Sequence, residues 1–236
     1  MRYISVFAVL SVLLLAIFPA HADEAEEIRN EVVALFGALS TPSIFVPASS
    51  ENLAVLLYGR TITGEGTVPD FDREPEAEID ELQIFATGRL GSLGLTLGFG
   101  QGNEFEFSQP LILSADYKIG LMEDSSLIKA AVDVQYSMIT LPDEENIRLS
   151  ALGFGVFSLN GLISAKLPFV EPYAGLSLNY VYLNSEDEYI GVIKPMPRIG
   201  AHAKILMVTV GTEIKFLNNK YLDSAWMWDI GAGIRF

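Results

Sequence analysis

Residues 129–138 read Lys129-Ala130-Ala131-Val132-Asp133-Val134-Gln135-Tyr136-Ser137-Met138. Lys129, Asp133, Gln135 and Ser137 share one parity, and Ile128, Val132, Val134, Tyr136 and Met138 share the other. Successive side chains of a strand point to opposite faces, so the stretch describes a strand with one polar and one apolar side.

The same alternation recurs outward from this point. Leu111, Leu113, Ala115, Tyr117 and Ile119 oppose Ser114, Asp116 and Lys118. Leu82, Ile84 and Ala86 oppose Glu81, Gln83, Thr87 and Arg89, while Leu176, Leu178, Tyr180 and Tyr182 oppose Ser177, Asn179 and Val181. Val208, Val210, Ile214 and Phe216 oppose Thr209, Gly211, Glu213 and Lys215. Strands are predicted near 52–64, 80–90, 92–101, 109–121, 127–141, 147–167, 172–183, 190–205, 207–216 and 226–236. That makes about ten, with eight or twelve as the alternatives. The sixth is overlong, and its alternation slips around Phe157–Gly161. A β-bulge there is the expectation. A hairpin turn at Asn160-Gly161 would add a strand and break the even count usual for bacterial single-chain barrels.

The connections alternate as well. Acidic, longer loops are expected at 65–79, 102–108, 142–146, 184–189 and 217–225, and tight turns at 90–92, 122–126, 168–171 and 205–207. Long loops on one side and short turns on the other is the layout of a membrane barrel, with the short turns in the periplasm. Both chain ends are expected there too.

The start of the chain carries Arg2, an apolar run from Ile4 to Phe18, and Ala20-His21-Ala22 before Asp23. This is the layout of a secretory signal, assigned to 1–22. Residues 23–50 read as an amphipathic helix and linker. Ile28, Val32, Leu35, Phe36 and Leu39 recur at helical spacing, and Ser40-Thr41-Pro42 ends the run. The helix could lie on the membrane surface in the periplasm, plug a lumen, or serve as a lead-in; its acids opposite a basic lumen make a plug chemically reasonable, and its apolar stripe favours the membrane surface. Residues 51–236 form the barrel.

Composition narrows the class. The 236 residues include no cysteine, so disulfides and a zinc–thiolate site are excluded. Half the residues are apolar, the mean hydropathy is +0.34, and the net charge is −15. A nucleic-acid partner is disfavoured by that charge.

Periodicity does not say which face points inward. The last strand, Trp226-Met227-Trp228-Asp229-Ile230-Gly231-Ala232-Gly233-Ile234-Arg235-Phe236, ends on an aromatic after alternating apolar residues. Here the sequence resembles small Gram-negative outer-membrane β-barrel proteins, whose C-terminal strand typically ends in Phe. The resemblance implies recognition by the barrel-assembly machinery through Trp228, Ile230, Ile234 and Phe236, a location in the cell outer membrane, and contact with its lipid and lipopolysaccharide. Small residues at Gly94, Thr96, Gly98 and Gly100, and aromatics near strand ends, also favour an apolar face turned outward. The fold expected is all-β: an up-and-down antiparallel transmembrane barrel preceded by a short helix.

With the apolar face outward, the lumen receives Arg60, Arg89, Lys118, Lys129, Lys166, Lys194, Arg198, Lys204, Lys215 and Arg235, with Glu81, Asp116, Asp133, Glu213 and Asp229. Internal ion pairs would offset the desolvation of these charges. A sharper reading is an anion-preferring passage, since inward bases outnumber inward acids. His202 shares the face of Arg198 and Lys204, and no Gly-x-Ser-x-Gly elbow accompanies it. It is expected to be a lumen residue rather than a catalytic base. No catalytic residue, cofactor or metal is assigned. Asp70-Phe71-Asp72-Arg73-Glu74 lacks the full calcium-loop pattern, although the acidic loops could bridge loosely through divalent ions to lipopolysaccharide phosphates. The leading function is a structural or narrow porin-like passage for small solutes. The alternatives are a lipid-modifying enzyme using His202 and a soluble periplasmic barrel binding an apolar ligand.

Overall fold

The computed structural model describes residues 22–42, 54–67, 76–101, 111–122, 126–140, 153–184, 189–220 and 222–235. The signal segment, the linker 43–53, the acidic stretches at 70–74 and 143–145, and Phe236 lie outside these residues. One helix, α1 (Ala22–Ser40), precedes ten strands. They are β1 (Ala54–Thr67), β2 (Glu76–Leu90), β3 (Leu93–Gln101), β4 (Leu111–Gly120), β5 (Ile128–Thr140), β6 (Gly153–Ala165), β7 (Val170–Asn184), β8 (Tyr189–Ile205), β9 (Val208–Leu217) and β10 (Leu222–Arg235). Each pairs antiparallel with its neighbours in sequence, and β1 pairs with β10 to close the barrel. Closure leaves no sheet edge at either end of the chain order, which is what a strand-built membrane protein requires.

The faces sort as the alternation predicts. Along β4 and β9 the burial pattern alternates residue by residue. Leu57, Ile84, Leu95, Leu113, Leu159, Leu178, Ile193 and Ile230 are exposed on the outside, whereas Arg60, Asp133, Arg198, Glu213, Lys215 and Asp229 are buried within. Water-soluble monomers rarely expose contiguous apolar patches beyond a few hundred Å². An all-round apolar wall over a charged interior is a lipid-facing barrel, and the reading as a soluble barrel with an apolar cavity is set aside on this ground.

Aromatics mark both ends of the wall. Phe99, Tyr182 and Trp226 stand toward the long connections, and Tyr117 and Phe169 toward the tight turns. Two outward hydroxyl contacts tie strands together on this surface, Tyr136 to Tyr182 at 2.6 Å and Trp228 Nε1 donating to Thr212 Oγ1 at 2.6 Å.

β6 corrects the sequence reading. Its pairing with β5 and with β7 runs without a register shift through Phe157–Gly161, so neither a bulge nor a turn interrupts it. The apparent slip comes from Val156 and Leu162, which are apolar yet point inward. Leu162 packs on Tyr173 inside the lumen, and Val156 belongs to a separate internal cluster. Residues 147–152 of the predicted sixth strand lie outside the described residues. The register shift among these pairings falls instead between Glu65 and Gly66 of β1, near the long-loop rim.

The lumen and the helix inside it

Side chains of nearly every strand meet inside the barrel in one connected belt of charge and hydrogen bonds. Arg89 of β2 pairs with Asp116 of β4 and reaches Asp133 of β5 at 4.0 Å. Asn160 Nδ2 of β6 donates to Asp133 Oδ2 at 2.9 Å, and Arg198 Nη2 of β8 donates to Asn160 Oδ1 at 3.0 Å and to Ser177 of β7. Arg198 and Lys215 then flank Glu213 at 3.5 and 3.4 Å, and Lys215 Nζ lies 3.0 Å from Asp229. Tyr173 donates to the other oxygen of Glu213 at 2.9 Å. Arg60 completes the circuit with a two-pronged bond to Asp229, Nε at 2.7 Å and Nη2 at 3.1 Å, and a further bond from Nη1 to Gln83 at 3.3 Å. Its guanidinium also lies 4.7 Å over the ring of Phe85, which stacks on Tyr58. An unpaired buried charge is expensive, and a chain in which most charges serve two partners is how a narrow lumen carries so many.

Small residues make room for this filling. A Cβ at Gly94 would collide with the Asp116 carboxylate, and one at Gly98 with the Phe85 ring. The Gly and Thr face of β3 is thus the counterpart of two bulky neighbours.

Of the residues assigned to the lumen from sequence, Arg60, Arg89, Asp116, Lys118, Lys129, Asp133, Arg198, His202, Glu213, Lys215 and Asp229 are buried there. Two assignments need correction. Lys166 lies beyond the end of β6 in an exposed connection, because the strand ends at Ala165. Lys204 has the inward parity of β8 but stands exposed at the tight-turn rim. The side chains of Arg235 and Glu81 are outside the described residues. In the last strand, Trp228, Ile230 and Ile234 face outward.

The main departure concerns α1. It lies inside the barrel rather than on the membrane surface. Val33 packs against Val156, Val181 and Ile190, all inward-facing residues of β6, β7 and β8. Helix and wall pack tightly at Gly37, since a Cβ there would overlap the Val181 side chain. Near the rim of the longer connections, Lys220 Nζ donates to Glu27 at 2.6 Å, and Glu31 takes Lys194. At the other end of the helix, the Thr41 hydroxyl turns back onto the carbonyl of Gly37 at 2.9 Å. The Thr41 carbonyl accepts from Arg60 Nη2 at 2.8 Å and Lys215 Nζ at 3.0 Å. Carbonyls at a helix C-terminus carry partial negative charge, so two cations there are a favourable seat. The helix descends from the long-loop rim to the charge belt.

Sequence reasoning also missed Glu171, Ser164 and Tyr173. Glu171 fell in a predicted turn, whereas β7 begins at Val170 and buries it opposite His202 in register. The Ser164 hydroxyl donates to Glu171 Oε1 at 2.6 Å. The serine is thus bound to the carboxylate, and all three side chains face the lumen, away from lipid.

An antiparallel ten-strand barrel with an apolar exterior and a charged, filled interior defines a transmembrane β-barrel of the outer-membrane class. No family model and no curated protein matches the sequence. Among solved structures, the chain is similar to Ail, the attachment invasion locus protein of Yersinia pestis. The identity is 13% over 79% of this chain and 99% of that one, with a TM-score of 0.30. It is similar to the β domain of the Bordetella autotransporter BrkA, at 9% identity over 80% and 100% of the chains and a TM-score of 0.46. It is also similar to the translocator domain of the autotransporter NalP from Neisseria meningitidis, at 10% identity over 80% and 90% and a TM-score of 0.41.

Proposed function

We propose that this chain is a non-enzymatic outer-membrane barrel forming a narrow passage for small solutes, held shut by α1. The observation that carries this reading is the double contact at Thr41. Arg60 and Lys215, the two cations that hold Asp229, also hold the end of the helix. The helix therefore rests on the same charges that would line an open lumen.

With the short turns toward the periplasm, the first turn of α1 stands at the outer rim and its last turn at mid-membrane. Removing the helix leaves Arg60, Arg89, Lys118, Lys129, Lys194, Arg198 and Lys215 on the wall. These outnumber Asp116, Asp133, Glu171, Glu213 and Asp229, so the emptied lumen favours anions. Insertion through the barrel-assembly machinery by way of the β10 face, and contact with lipopolysaccharide, belong to the same reading.

Planar-bilayer conductance tests it. The full chain is expected to be nearly silent, and a variant lacking 23–40 to conduct with reversal potentials on the anion side. A silent deletion variant that still shows the heat-dependent gel shift of a folded barrel would refute the passage. His202→Ala is expected to leave the lipid A profile of the host unchanged, because the imidazole faces the lumen.

A further inference from the structure

One seam of the wall is only half paired among the described residues. β8 is 17 residues long and pairs β7 from Tyr189 to Ala203, but pairs β9 only from Arg198 to Ile205. Continuing that register would set Pro197 opposite Phe216 and Met196 opposite Leu217. The ladder stops instead.

The reason is chemical. In an antiparallel strand the N–H and C=O of one residue turn to one neighbour, and those of the next residue to the other. The Lys204 N–H donates to the Phe169 carbonyl at 3.1 Å, on the β7 side. Even-numbered residues of β8 therefore serve β7, and odd-numbered ones serve β9. Pro195 and Pro197 are odd, and neither has an N–H to give. A membrane strand crosses the bilayer in about 9–11 residues, which from Ile205 reaches back to about Pro195. The donors are missing where the open edge still meets hydrocarbon, the place where an unpaired N–H is least tolerable.

From inside, one residue of α1 joins both lips of this seam. Glu31 takes Lys194 of β8 through Oε1, while its Oε2 accepts the Lys220 N–H at 3.2 Å and its carbonyl accepts Asn219 Nδ2 at 3.1 Å, both just past β9. Behind the contact is a cavity of about 20 Å³, lined by Ala34 and Leu35 of the helix and by Pro195, Met196 and Leu217 of the wall. Asn179 also lines it, and this buried side chain has an Oδ1 with no hydrogen-bond partner.

We propose that the β8–β9 seam is a lateral portal between lumen and membrane, closed by α1, and that its ligand is a single-chain anionic amphiphile. Closed, the cavity has room for about one water; with α1 drawn aside, its apolar side, Ala34, Leu35, Pro195, Met196 and Leu217, would line an alkyl chain. Lys194, released from Glu31, suits an anionic head, with the Asn179 amide beside it. The proposal rests on the plugging role of α1 for closure and adds a sideways route that plugging alone does not require.

The absence of native cysteine permits a direct test. Met196→Cys is placed in the full chain, reconstituted in liposomes, and labelled with either a lipid-dissolved alkyl maleimide or a charged, water-soluble methanethiosulfonate. Adding Glu31→Gln is expected to raise the lipid-phase rate several-fold and the aqueous rate much less. Further addition of Pro195→Thr and Pro197→Thr, which restores the missing donors, is expected to return the lipid-phase rate to its starting value. Dodecanoate is expected to accelerate lipid-phase labelling with Glu31 present, and dodecanol is not. Equal acceleration of both reagents would mean axial opening and would overturn the portal. So would an unchanged lipid-phase rate in a variant whose conductance rises, which would leave the plug intact as a reading. An unchanged rate without conductance would overturn both. Equal effects of dodecanoate and dodecanol would overturn the anionic head group. The heat-dependent gel shift verifies folding of each variant.

Discussion

Arg60 and Asp229 are register partners on the first and last strands, and their side chains form a two-pronged ion pair at 2.7 and 3.1 Å inside the barrel. This pair, 169 residues apart in sequence and set where the barrel closes, is thus also a link in the lumen's charge belt. Asp229 further holds Lys215 at 3.0 Å, so one carboxylate pairs with two fully buried cations. Asp229→Ala would leave both charges short of a partner. Breaking a buried pair from one side costs about 3–5 kcal/mol. Asp229→Ala is expected to lower the unfolding free energy of the reconstituted barrel, measured by urea denaturation, by that order. The double variant Arg60→Met/Asp229→Leu, which removes charge and partner together, is expected to lose much less.

Gly37 predicts a different separation, between helix and wall. A side chain there meets Val181, so Gly37→Val is expected to displace α1 while leaving the strand pairing untouched. The heat-dependent gel shift should persist as conductance rises. A variant that is as silent as the parent would mean that Val181 yields and α1 stays seated.

The strands were legible in the sequence because lipid and lumen demand opposite polarities, and the period of two carries that demand directly. The belt residues followed from the same parity, which is why Arg60, Asp133, Arg198 and Asp229 could be assigned together. The place of α1 was not legible, because an apolar helical stripe suits a lipid surface and an apolar lumen patch equally well. The signal was present in the wall rather than in the helix. Val156, Val181 and Ile190 are apolar at inward positions near the long-loop rim, and they are the patch that receives Val33. Val156 and Leu162 were instead what made β6 look irregular. The proline pair of β8 was equally visible, but its meaning depends on which neighbour each residue serves, and that requires the register.

The turn between β8 and β9 supplies a prediction about stability alone. Leu206 has φ of 56°, a left-handed conformation that L side chains adopt at a cost of about 1 kcal/mol. The two-residue connection Leu206-Met207 favours that hand because its twist matches the flanking strands. Leu206→Gly removes the steric penalty, and Leu206→Asn reduces it. Both are expected to raise the unfolding free energy measured in urea slightly, by up to about 1 kcal/mol, with unchanged conductance. A loss of stability in both would indicate that the leucine contributes more through contact with the membrane interface than its backbone conformation costs.

The direction of the faces makes the strongest demand. Leu159 and Asn160 are adjacent in the middle of β6, with Leu159 on the outer wall and Asn160 buried in the belt between Asp133 and Arg198. An arginine on the lipid face near the bilayer midplane costs about 2–4 kcal/mol. Leu159→Arg is therefore expected to destabilise the barrel in liposomes by that amount and to be far milder in detergent micelles, where the head can reach water. Asn160→Ala should behave in the opposite way. It removes hydrogen bonds to two buried charges, each worth about 1.5–3 kcal/mol, whatever surrounds the outer wall. Its effect is expected to be the same in liposomes and micelles. If Leu159→Arg were equally harmful in both, the outer wall would be packing against protein rather than lipid.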